Sequence, residues 1–188
     1  GGLVRLARVV EALAPVSDLD LFVFHDQRRS KMAVPPSVSV LRSVGVPFPQ
    51  TSPQLKWRLD WVVHRGVPLE VVMARADQAP RLALRDWARP PYDLVWFSTA
   101  PAYEWAGRPD FGPTIVDLMD LEDIKSELRA GLLADRLRAA PWRGSVRTRL
   151  TWYQTRLNAR DWRRFQQSVA AEVERIVLPS DLDAARSG

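Results

Sequence analysis

Cysteine is absent from the 188 residues, lysine occurs only at Lys31, Lys56 and Lys125, and histidine only at His25 and His64. The missing thiols exclude disulfides, cysteine nucleophiles and thiolate metal sites within this segment. Two histidines argue against a histidine-rich metal centre. Neither has sequence context linking it to a nucleophile, which argues against a hydrolase triad. No apolar run approaches the ~20 residues that cross a bilayer. Internal repeats and low-complexity segments are also missing, and the residues given hold no basic-then-apolar stretch, which leaves open a leader upstream of them. The expected setting is cytoplasmic.

What is present fits one globular domain spanning 1–188: 46% hydrophobic and 26% charged residues. The net charge of +5 is carried mostly by arginine. Such a balance suits nucleic acid, anionic lipid or phosphorylated substrates, although arginine-for-lysine usage also follows genome composition. The eight tryptophans read mainly as packing residues.

Apolar periodicity predicts a helix over 2–13, where Leu3, Leu6, Val9, Val10 and Leu13 form one stripe before Pro15. Short apolar runs predict strands at 19–24, 38–41, 93–98, 114–118 and 175–178. Helical spacing predicts helices over 54–65 and 81–88, and a long helical stretch over 123–174 broken near Pro141 and Gly144. Alternating strands and helices predict an α/β fold, Rossmann-like, with a mainly parallel, doubly wound sheet and flanking helices. Ligands of such sheets bind beyond the carboxyl ends of the strands. That rule selects Gly1-Gly2, His25-Asp26, Ser98-Thr99, the segment from Asp117 to Lys125, and Ser180-Asp181.

Each carries chemistry of its own. Gly1 and Gly2 lack Cβ atoms, so their N–H groups can meet an anion or sugar oxygen at a helix start, with Arg5 one turn further on. Asp117, Asp120, Glu122 and Asp123 place four acids within seven residues, where a strand passes into a helix. Carboxylates there accept hydrogen bonds from sugar hydroxyls, accept a proton, or bind a divalent cation. Asp123 suits a helix cap and Lys125 the first helical turn. Ser98 and Ser180 offer hydroxyls, and both also suit turns and caps. The stretch Arg160-Asp161-Trp162-Arg163-Arg164-Phe165 interleaves Arg and Trp as a nucleic-acid or headgroup surface would. An exposed Arg face on a helix packing through Phe165 and Val169 accounts for it better.

Four segments in order carry a resemblance: Gly1-Gly2-Leu3-Val4-Arg5; Tyr92-Asp93-Leu94-Val95-Trp96-Phe97; Pro113-Thr114-Ile115-Val116-Asp117-Leu118-Met119-Asp120; and Arg175-Ile176-Val177-Leu178-Pro179-Ser180-Asp181. Together they resemble the N-terminal, acceptor-side half of a retaining glycosyltransferase of the large family 4, whose two Rossmann-like domains form the GT-B architecture. The resemblance implies a nucleotide-sugar donor as co-substrate, no cofactor and usually no catalytic metal. It also implies a saccharide or lipid-linked acceptor and a C-terminal donor domain as partner. Gly1-Gly2 would lie near the donor, and Asp120 would stand where many relatives carry a catalytic histidine. Asp117, Lys125, Ser98, Ser180 and Arg5 are the further substrate-binding candidates. The chain then reads as a fragment lacking its first strand and donor domain, and inactive alone. The basic surface and tryptophans would suit peripheral contact with the inner face of a membrane; nucleic acid is not the expected partner. The competing readings are a dinucleotide oxidoreductase, with Asp26 ending the second strand, and a non-catalytic basic and aromatic module binding nucleic acid or anionic membrane.

Overall fold

The computed structural model describes residues 2–26, 40–46, 61, 66–118, 121–139 and 146–178. Helix α1 (Gly2–Leu13) buries Val10 of its apolar stripe. The Ser17 hydroxyl donates to the Leu13 carbonyl at 2.8 Å and closes its last turn. Strands β1 (Asp20–Asp26) and β2 (Val40–Val46) follow and pair in parallel, from Asp20 opposite Val40 to Asp26 opposite Val46. Next come α2 (Leu69–Ala76), α3 (Ala79–Trp87), β3 (Val95–Phe97), α4 (Ala100–Ala106) and β4 (Thr114–Asp117). Helices α5 (Glu122–Ala139) and α6 (Val146–Ala170) lead to β5 (Arg175–Val177).

The chain is mixed α/β and its strands pair in parallel, as the alternation predicts. The pairing is divided where one sheet is predicted. β1 and β2 form a two-stranded sheet, while β4 lies at the centre of a three-stranded sheet ordered β3-β4-β5. Side chains join the two. Phe22 and Phe24 of β1 pack against the core built on Phe97, Val116, Trp162, Phe165 and Val169. The Phe22 ring lies 5.2 Å from Trp87. The Tyr92 hydroxyl, just ahead of β3, donates to Asp20 Oδ2 at 3.0 Å and holds the starts of β1 and β3 together.

Two helices lie where periodicity alone predicts none. Both begin at a proline: Pro68 is the N-cap of α2 and Pro101 sits in the first turn of α4. A first-turn proline sacrifices no helical hydrogen bond, because that N–H has no intrahelical acceptor. Pro80 does the same for α3, which starts two residues before the predicted 81. The predicted helix over 54–65 lies, Trp61 apart, outside the described residues.

Glu104 of α4 is buried and accepts from Arg75 Nε of α2 and from Arg108 Nε, each at 2.8 Å. Arg108 also pairs with Glu172 beyond α6, and the Tyr103 hydroxyl donates to Glu172 Oε1 at 3.1 Å. Burial, reinforced by the Glu172 carboxylate, pushes the Tyr103 hydroxyl up to about 12. Gly107 and Arg108 turn the chain in left-handed conformations, with φ of 78° and 52°. That turn brings the Arg108 guanidinium to both acids and over the Phe165 ring.

Helices α5 and α6 form an antiparallel hairpin: Arg163, late in α6, reaches Asp123 and Glu127, early in α5. The buried residues of α5 are Asp123, Ser126 and Ala130. Those of α6 are Ala159, Asp161, Trp162, Phe165, Gln166 and Val169. Among the described residues, burial therefore stops halfway out along both helices.

Candidate functional site

The carboxyl end of the β3-β4-β5 sheet gathers most of the described candidates. Ser98 and Thr99 leave β3 on their way into α4. Thr99 Oγ1 accepts from the Ala102 N–H at 3.1 Å, so this hydroxyl caps α4. Ser98 is half-buried beside it. Asp117 is the last residue of β4 and only 2% exposed. The ladder continues one step past it, the Leu118 N–H donating to the Val177 carbonyl at 2.9 Å.

Helix α5 starts five residues later. Glu122 and Asp123 occupy its first turn, where the partial positive charge of the helix end favours carboxylates. Lys125 lies in the same turn, as predicted, and its Nζ is 3.1 Å from Glu122 Oε1. Asp123, predicted as a cap, is instead held inside the helix and faces α6. Its Oδ2 is 3.5 Å from Arg163 Nε, and its Oδ1 is buried without a hydrogen-bond partner among the described residues.

The fold adds a carboxyl that sequence reasoning missed. Glu70, in the first turn of α2, shares electrostatic contact with Glu122 and Arg129 of α5. Burial raises its carboxyl above the ordinary value, outweighing hydrogen bonds from its own backbone and from Asn158. Oε2 is shut off from solvent with no hydrogen-bond partner among the described residues. Asn158 of α6 also accepts the Leu69 N–H at 3.2 Å, capping α2 where Pro68 offers no side-chain acceptor. The sequence signal was an acid set among Leu69, Val71 and Val72, in a stretch whose helix begins at a proline.

The arrangement joins carboxylates that accept hydrogen bonds from hydroxyl groups to a carboxyl that holds its proton more tightly than usual. No group of three or more His, Asp or Glu is disposed to hold a metal ion among the described residues. Gly1, Asp120 and Ser180 lie outside the described residues. Gly2 opens α1 and Arg5 lies in its first turn. His25 and Asp26 close β1, apart from the β3-β4-β5 sheet.

The Arg160–Phe165 stretch is divided between core and surface. Trp162 is 1% exposed, with Phe165 and Asp161 buried beside it, so this tryptophan stacks on no external ligand. Arg163 pairs with Asp123 and Glu127. The helix packs through Phe165 and Val169, as read from the sequence.

Comparison with protein-family models, with curated proteins and with solved structures finds no match for the chain.

Proposed function

We propose that the chain is the acceptor-side, Rossmann-like domain of a family 4-like, GT-B glycosyltransferase. The full-length protein would transfer a sugar from a nucleotide-sugar donor to a saccharide or lipid-linked acceptor. The observation that carries the reading is the run of acids that follows β4 into the first turn of α5. Asp117 ends β4 and Glu122 and Asp123 open α5, beyond the carboxyl end of a parallel strand where an α/β sheet receives its ligand, and Glu70 lies in electrostatic reach of Glu122. Neighbouring carboxylates and a lysine recognise vicinal sugar hydroxyls as hydrogen-bond acceptors and donor. In this reading Asp120 is the group nearest the reacting centre. Lys125 and Ser98 orient the acceptor, and the N–H groups at the start of α1 face the donor phosphates.

Calorimetric titration of the full-length protein against a panel of nucleotide sugars, with an assay for released nucleoside diphosphate, tests it. Binding with turnover is expected, and Asp120→Asn should lower kcat about 10²–10⁴-fold with KM little changed. Absence of any nucleotide-sugar binding overturns the reading. Binding of reduced nicotinamide dinucleotide in its place would make the protein an oxidoreductase.

A further inference from the structure

The outer half of the α5–α6 hairpin differs from the rest of the molecule in both packing and charge. From Gly131 to Ala139 and from Thr148 to Asn158 no residue is buried, and only at its inner end, through Asn158, does this half bond α2 among the bonds described. Between Arg136 and Arg160 the sequence holds seven arginines and no acid. Asp135, the nearest acid ahead of that stretch, pairs with Arg138. On α6, Arg149, Tyr153, Arg156 and Arg160 follow one another at steps of four, three and four, and all four are exposed. Arg156 lies over the Trp152 ring at 5.6 Å, leaving its charge at the surface.

The apolar side chains decide what such a surface meets. Leu128 and Leu132 of α5 are 65% and 64% exposed, and Leu150 and Tyr153 of α6 are each 55% exposed. These are four of the seven large hydrophobic side chains left exposed among the described residues, and they sit on one helical pair. Single exposed leucines need no explanation, but four large apolar side chains left exposed on one arginine-rich helical pair do. Nucleic acid would be met by arginine and aromatic faces alone, and leucine adds nothing to phosphate contact. A lipid surface uses both, taking leucine and tyrosine into the headgroup boundary while arginines meet anionic headgroups. No helix among the described residues is long and apolar enough to cross a membrane, so the contact is peripheral.

We propose that the outer half of the α5–α6 hairpin docks the protein on anionic lipid bilayers. The proposal does not rest on the assignment of the acids at the end of β4.

Flotation of the purified full chain with vesicles tests it, comparing pure phosphatidylcholine with a mixture containing 30% phosphatidylglycerol. Binding to the anionic vesicles alone is expected, weakening as salt rises, with a blue shift of tryptophan emission. Replacing Arg149, Arg156 and Arg160 together by Gln should weaken binding about a hundredfold, as expected for three basic groups at an anionic surface. Leu132→Ser with Leu150→Ser removes no charge and should weaken it about tenfold; unchanged circular-dichroism melts establish that both variants fold. Equal binding to both vesicle types overturns the proposal, as does full binding by the serine variant. Arginine-dependent binding of a single-stranded oligonucleotide without vesicle binding overturns it in favour of nucleic acid.

Discussion

Glu70 shows how a residue of ordinary type acquires an unusual environment. Its carboxyl is raised above the ordinary value near 4.5, first by burial and then by Glu122. The folded chain therefore keeps a proton that the unfolded chain releases as pH rises past that value. The resulting stability is complete in acid and is lost as pH climbs through the folded-state value. Glu70→Gln keeps the shape and removes the titration. The variant should melt higher than the parent at pH 7–8 and gain nothing near pH 4, as followed by circular dichroism. A gain of equal size at every pH would show that Glu70 does not titrate as argued. The segment from Asp117 to Lys125 was legible in the sequence, because strand end, loop and helix start adjoin along the chain. Glu70 was not, since its partner Asn158 lies 88 residues further on and only folding brings them together.

At the scale of elements, prolines were the main source of difference between sequence and structure. Pro68 and Pro101 begin helices that apolar periodicity alone does not reveal. α4 has seven residues, too few to persist by propensity, and is held at its two ends. Thr99 caps its start, and Gly107 closes it in a left-handed turn that Arg108 continues into the buried ion network. Thr99→Ala should cost about 1 kcal/mol by removing the acceptor for the Ala102 N–H. Chemical denaturation would read this as a lower midpoint with an unchanged slope; Thr99→Ser should restore most of the loss.

Across the whole molecule, one core unites sheets that share no hydrogen-bond ladder among the described residues. Trp162 belongs to it, with the Phe165 ring 5.7 Å away, in a cluster that draws residues from β1, β3, β4, α4 and α6. Trp162→Ala should destabilise by about 3–5 kcal/mol in guanidinium unfolding. Because both sheets lean on the same cluster, the loss should appear as one shifted transition for far-ultraviolet dichroism and tryptophan fluorescence together. Two separated transitions would mean that the β1-β2 sheet folds independently.

The α/β class, the parallel strands, α1, the paired C-terminal helices and the acids around β4 all follow from local order. Apolar period, turn chemistry and strand-end position act between residues close in the chain. Tertiary structure alone decided that the strands divide into two sheets, that Trp162 is core rather than surface, and that Glu70 joins the acids of α5. It likewise decided which part of the basic helix lies open to a partner. Those outcomes depend on burial, and burial is set by residues far apart in the sequence.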